Sequence, residues 1–378
     1  MKITPRRVGP LAAAVAALAL LAGCGSSGDG SDGSGAPAAS GSPAASYDTT
    51  AQRNAATWLD AQLDHGVAYN RQYKYEDYSL SADIAFGLHT VPGQDAEVEA
   101  IAKAVAANLK AYVAPGFGTL TSAGSAAKAL VLGQDADADT AGLVNTVERT
   151  VTATGPSKGR IADQLDPKNA KAVDYANVIG QSYAVQALSA AGSADADAVT
   201  GFLLKQQCAD GWFRQTFTAD PAAADQTCDG DPKATPDPDA TAFAVLALSS
   251  LQDADADVTT ARDKAVSWLE SQQAADGSFA AAQPKVANAN TTGMAGWALG
   301  TAGDTEAAGK AATWVAQHQL GCDAGKAAGA IAYDDTSLAQ TKAKGITVAT
   351  EGQIRLATAQ ALPVLQWLPE GAVTAKSC

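Results

Sequence analysis

Two kinds of helical segment alternate along this chain, and they differ in where the apolar side chains fall. In residues 264–273, Ala265, Trp268, Leu269 and Gln272 share one face at helical spacing, which predicts an amphipathic helix. Residues 123–131, 181–192, 241–249 and 292–302 are instead nearly all apolar, dominated by Ala, Gly and Leu. A helix that is apolar all round is buried all round, and small residues let such helices approach closely. The amphipathic kind is followed by a glycine suited to a left-handed stop, as at Gly277, and then by an aromatic residue, Phe279, able to seal the helix end.

The landmarks recur in order. Phe202-Leu203, Gln206-Gln207, Asp210-Gly211 and Phe213 match Trp268-Leu269, Gln272-Gln273, Asp276-Gly277 and Phe279 position for position. Trp314-Val315 with His318-Gln319 and Gly321 repeats most of the pattern, and Trp58-Leu59 with Gln62 and Gly66 is a weaker copy. The Ala-rich partners carry Ala129-Leu130, Ala187-Leu188, Ala247-Leu248 and Ala298-Leu299 near their ends. A paired unit returning every 50 to 60 residues or so means an array of helical hairpins. The expected arrangement is two concentric rings, small-residue helices inside and Trp/Gln-bearing helices outside. Closing the array also removes the exposed ends that an open solenoid must cap.

The order [Lys/Arg]-Ala-x-x-Trp-Leu-x-x-x-Gln-x-x-x-Gly-x-Phe/Trp resembles the repeat of the squalene cyclase and prenyltransferase β-subunit superfamily. Residues 264–279 fit it nearly throughout, Lys310-Ala311 to Trp314-Val315 with Gln319 fit its first part, and Phe202 to Trp212 its second. The resemblance is strong over residues 170–325, and the hairpin spacing extends it from about 50 to 367. It implies an all-α fold, an α/α toroid of five to six helical hairpins. It implies little about chemistry, because such rings serve cyclases, protein prenyltransferases, thioester domains and vitamin B12 carriers alike.

The chain's start adds an address. Lys2, Arg6 and Arg7 precede an apolar run, residues 11–21, that is short for a membrane span. Leu21-Ala22-Gly23-Cys24 resembles the lipobox of bacterial lipoproteins, so residues 1–23 read as a signal peptide and Cys24 as the acylated anchor to the cell membrane. Residues 24–46, almost wholly Gly, Ser, Ala, Pro and Asp, read as a flexible tether, and residues 47–378 as the toroid. The expected location is the outer face of the cell membrane. Removing the three basic residues of the signal takes the formal charge from −14 to −17, which argues against nucleic acid as a partner. Four cysteines remain, and the pairing Cys208–Cys228 with Cys322–Cys378 is preferred over the other two connectivities. No Cys-x-x-Cys pair or Cys/His cluster offers zinc a site, and neither metal nor cofactor is expected.

Chemistry is sought where the inner helices begin. Asn177 with Gln181, Asp237 with Asp239 and Thr241, Asn288 with Asn290 and Thr292, and Glu351 with Gln353 stand there, and Tyr78, Ser79 and Ser81 precede the first inner helix. Each is either a helix N-cap or one of several polar groups converging on a ligand at the ring's mouth. Asp237-Pro238-Asp239-Ala240-Thr241-Ala242 resembles the Asp-x-Asp-Asp-Thr-Ala stretch of class II terpene cyclases, with Asp239 in the proton donor's place and Asp237 as the first Asp. The last acidic position of that motif is Ala240 here. Tyr69, Tyr73, Tyr75 and Tyr78 interleave with charges as a lip or as packing. The acidic runs after the inner helices, around Asp135, Asp195 and Asp253, read as solvated turns and helix caps. Three functions are carried forward: a toroid that binds a small-molecule, isoprenoid- or corrinoid-like ligand for a membrane transporter, a single-barrel cyclase using Asp239, and an envelope scaffold.

Overall fold

The computed structural model describes residues 46–116, 118–374 and 377–378, so the signal sequence and Cys24 lie outside it. Its helices are α1 (Thr50–Asp60), α2 (Tyr78–His89), α3 (Asp95–Ala107), α4 (Leu109–Val113), α5 (Ala123–Asp135), α6 (Ala141–Glu148), α7 (Val178–Ala190), α8 (Ala196–Leu204), α9 (Pro238–Ser249), α10 (Ala256–Gln272), α11 (Ala289–Thr301), α12 (Thr305–Gln317), α13 (Asp335–Lys344) and α14 (Val348–Ala361). A 3-10 turn, Leu362–Trp367, continues α14.

The ring closes. Going round it, α2, α5, α7, α9, α11 and α14 each pack against the next, and α14 packs back against α2. Outside them stand α3, α6, α8, α10 and α12, while α1 covers α14, α2 and the 3-10 turn. Among the described residues there are thus six hairpins, and the sixth pairs α1 with α14. The two rings differ in burial as their composition predicts: α7 buries Val178, Gly180, Gln181, Ser182, Ala184, Val185, Ala187 and Leu188, whereas α10 buries only the stripe Val258, Ala261, Ala265 and Leu269. Small residues set the inner spacing. A methyl group placed on Gly180 of α7 would come within 3.0 Å of Gly124 Cα in α5.

The recurring glutamine is a brace between hairpins. Gln207 Nε2 donates to Gly211 O at 2.8 Å and, across to α10, to Ala261 O at 2.8 Å. Gln273 bonds Gly277 O and Ala307 O of α12 in the same way, and Gln319 bonds Gly329 O and Ala51 O of α1. The glycine bonded at each brace has a positive φ and lies against the next outer helix: a Cβ on Gly277 would sit 2.3 Å from Lys310 O, and one on Gly329 would sit 2.2 Å from Asn54 O. The third copy of the motif therefore ends at Gly329, not at Gly321. A 3-10 turn, Cys322–Ala327, is inserted between them.

A second repeated bond fixes the height of five of the six inner helices. A backbone N–H after an outer helix donates to a side-chain oxygen of the inner one, in its first turns for Ala68 to Ser81, Ile161 to Gln181, Phe213 to Thr241 and Phe279 to Thr292, and near the end of α14 for Ile331 to Thr358, all at 2.8–3.0 Å. Both expected disulfides, Cys208–Cys228 and Cys322–Cys378, are present. The Tyr-rich segment is not a plain loop. It carries short antiparallel strands, β1 (Leu63–Asp64), β2 (Val67–Asn70) and β3 (Tyr75–Glu76), and a second pair, β4 (Thr119–Thr121) with β5 (Gln164–Leu165), precedes α5 and α7.

Candidate functional site

Two residues beyond each latching oxygen, the inner helices present a side chain to the ring axis: Asp83, Tyr183, Phe243, Met294 and Gln360, with Lys128 supplied by α5. This layer divides the axis into two chambers. The lower one, about 240 Å³, is lined by the C-terminal halves of the inner helices, chiefly Phe86, Val131, Leu246, Met294 and Trp297, with Asp135, Gln186, His89 and several hydroxyls, Ser249 and Thr301 among them, as polar groups. The upper one, about 310 Å³, lies toward the mouth and is lined by Ser79, Tyr112, Ser125, Lys128 and Asn177. Asp83, Tyr183, Phe243 and Gln360 border both. Tyr183 stacks on Phe86 with ring centroids 5.7 Å apart and meets Phe243 at 5.5 Å, so an aromatic plate crosses the axis.

The plate carries a buried ion pair. Lys128 Nζ lies 2.8 Å from Asp83 Oδ2 and also donates to Ser79 O and Oγ at 3.0 and 3.3 Å, which occupies all three ammonium hydrogens. Burial opposes the ammonium's charge, but Asp83 and the Tyr112 hydroxyl more than offset it and hold Lys128 above its ordinary pKa. Burial pushes the Tyr183 hydroxyl far up, helped by the negative charge of Asp83. It also raises Asp135 in the lower chamber to about 6, against the opposing pull of His89. Asp135 is therefore part of the cavity wall and not the solvated turn its sequence context predicts.

The residues chosen from the sequence have mixed fates. Asn177 caps α7 through Gly180 N–H and also lines the upper chamber. Asp237 caps α9 by accepting from Ala240 N–H. Gln181, Thr241 and Thr292 are the latches just described, so their polar atoms are engaged by the scaffold rather than offered to a ligand. Glu351 is buried between Arg71, at 2.6 Å, and Arg355, while Gln353 is exposed. Arg355 in turn donates to Tyr69 O at 2.8 Å, which ties the first strand pair to the last helix. Asn290 donates to Gln360 Oε1 at 2.7 Å and so orients a residue of the plate. Tyr78 is buried beside Tyr112, its hydroxyl bonded to Glu76, which together with burial pushes it up to about 12. Tyr69, Tyr73 and Tyr75 are exposed.

Asp239 lines neither axial chamber. Burial and the neighbouring Asp237 raise it to about 6, opposed by a hydrogen bond from Thr291. Among the described residues no group of three His, Cys, Asp or Glu side chains is placed to hold a metal ion. His318 stacks on Trp314 and bonds Trp314 O and Asp335, a packing role. Sequence reasoning missed Asp83, Lys128, Asp135 and Tyr183. For Asp83 and Lys128 a signal was present, a lone charge inside an otherwise apolar helix; Tyr183 and Asp135 carried none.

No protein-family profile matches the sequence, and no curated protein is similar to it. Solved structures do match. A protein from Actinoplanes is 17% identical, with 84% of this chain and 98% of that one covered at a TM-score of 0.56. The type II terpene cyclase MstE from Scytonema is 13% identical, covering 84% and 96% at 0.58. The unsaturated glucuronyl hydrolase from Bacillus sp. GL1 is 14% identical, covering 85% and 99% at 0.53. The protein is an α/α toroid. At these identities the likeness establishes the fold, and the toroid's function is to be read from its axis.

Proposed function

We propose that this chain is a lipid-anchored extracytoplasmic toroid that binds a small, mainly apolar ligand in its lower axial chamber and presents it to a membrane transporter. The observation that carries the reading is the chamber: Phe86, Leu246, Met294 and Trp297 form its walls, and Asp135, Gln186 and His89 are among the polar groups that line it. A concave apolar cavity with a few convergent polar groups is the usual form of a ligand site. Its volume, about 240 Å³, limits the guest. An engineered cavity of about 150 Å³ takes up benzene, so one or two rings fit here and an intact corrinoid or triterpene does not. The anchor at Cys24 and the transporter remain part of the proposal.

The alternative reading, a cyclase using Asp239, draws on that carboxyl's raised pKa beside Asp237. It is the weaker one, because the carboxyl borders no axial chamber and its motif lacks the final acid. Native mass spectrometry of protein purified from its own host, with thermal shifts in toluene, naphthalene and monoterpene alcohols, tests the binding reading. A bound species or a rise in Tm is expected, lost in Leu246→Trp, which fills the chamber, and kept in Asp239→Asn. Empty spectra and no shift across the series would overturn it, and catalytic turnover abolished by Asp239→Asn would favour the cyclase.

A further inference from the structure

The upper chamber has a chemistry of its own. The Tyr112 hydroxyl is buried at its wall beside the Ser79 and Ser125 hydroxyls, but neither meets it in good hydrogen-bond geometry. A buried hydroxyl left unpaired is costly, and such groups are rare in folded proteins unless something else satisfies them. Two further groups on the chamber wall have no hydrogen-bond partner in the protein among the described residues, although they are not sealed from water as Tyr112 is: the Asp83 oxygen not engaged by Lys128, and the Tyr183 hydroxyl. Lys128 itself has no hydrogen left to give.

These facts define the guest. Asp83 and Lys128 cancel each other's charge, and the other charged group on the wall, Asp163, is a carboxylate that accepts from the Ala123 and Tyr175 N–H groups, so an anionic ligand would meet no free counterion, an unfavourable transfer. The open groups are one pure acceptor and two hydroxyls that both give and take. A ligand hydroxyl answers all three, since it also both gives and takes. The aromatic faces of Tyr112, Tyr183 and Phe243 on the same walls suit the C–H face of a saturated ring. The volume, about 310 Å³, suits one such ring.

We infer that the upper chamber is a binding site for a neutral, polyhydroxylated ring, a neutral monosaccharide or cyclitol. It is distinct from the apolar chamber beneath the plate, and neither site's occupancy depends on the other's being real.

Calorimetric titration of the intact protein with D-glucose, D-galactose, D-mannose and myo-inositol, and with D-glucuronate as an anionic counterpart, tests it. At least one neutral compound is expected to bind, with D-glucuronate tenfold or more weaker. Tyr112→Phe and Tyr183→Phe, each removing only an oxygen, are expected to weaken that binding fivefold or more with little change in the Tm of the free protein, because neither hydroxyl makes a well-formed hydrogen bond to the protein. Silence with every neutral compound, equal binding of D-glucuronate, or undiminished binding by both variants would each overturn the assignment.

Discussion

Lys128 shows how a single side chain can mark a site that a pattern hides. In residues 123–131 it is one charge among Ala, Val and Leu, and the apolar majority determines how the segment is read. Its burial is tolerated only because Asp83 meets it on the next helix. Asp135, one layer lower, has no such partner, and burial alone holds its carboxyl near pH 6 instead of the ordinary 3.8. The sign of the effect on stability follows. A carboxyl that binds its proton more tightly in the fold favours folding fully below about pH 4, and that contribution is lost as pH rises through about 6. Melting temperature should therefore fall between pH 4 and pH 7 at fixed ionic strength. Asp60 and Asp239, also raised to about 6 by burial, act in the same direction. Asparagine cannot ionise, so Asp135→Asn should flatten part of the slope and raise Tm at pH 7. An unchanged slope in that variant would show that the carboxyl is hydrated after all.

At the level of the helices, the outer segments were legible and the axis was not, for a physical reason. An outer helix needs an apolar stripe, a brace and a left-handed stop within about twenty residues, so Trp268, Gln273 and Gly277 stand together in the sequence. An axial layer takes one residue from each of six helices, and the height of five of them is set by a bond from another element. Nothing local marks Tyr183 as facing Asp83. Even the local signal slips where the chain is interrupted: Gly321 follows Gln319 at nearly the right distance, but the inserted 3-10 turn displaces the working glycine to Gly329. Gly329→Ala tests that assignment. The added methyl meets Asn54 O at 2.2 Å with φ at +91°, so a loss of at least about 2 kcal/mol is expected by denaturant titration. Gly321→Ala, at φ −75°, should cost far less. Equal losses would return the motif to Gly321.

For the molecule as a whole, the seam between the two chain ends decides whether the axis exists at all. Beside the packing of α14 on α2, a set of bonds that close the ring gathers on or beside α1: Gln319 reaches Ala51 O, Trp58 Nε1 donates to Lys326 O at 3.1 Å, Asp48 N–H donates to Leu368 O, and Cys378 N–H donates to Asn54 Oδ1. The Cys322–Cys378 disulfide spans 56 residues at this seam, whereas Cys208–Cys228 spans 20 within one connection packed on Trp212 and Trp268. Loop-closure entropy assigns them about 4 and about 3 kcal/mol respectively, so removing either should lower stability by a similar amount. Their effects on dynamics should differ. A Cys322→Ser/Cys378→Ser variant leaves the seam held by hydrogen bonds, the Arg71–Glu351 ion pair and the packing of α1 and α2 on α14, with no covalent tie. Faster amide exchange is then expected in α1 and α14, on both sides of the seam, together with weaker ligand binding on the axis. A Cys208→Ser/Cys228→Ser variant should loosen residues 205–237 and leave α1 and α14 as protected as before. Identical exchange maps for the two variants would mean that the ring is held by its inner helices, with the seam contributing no more than any other hairpin contact.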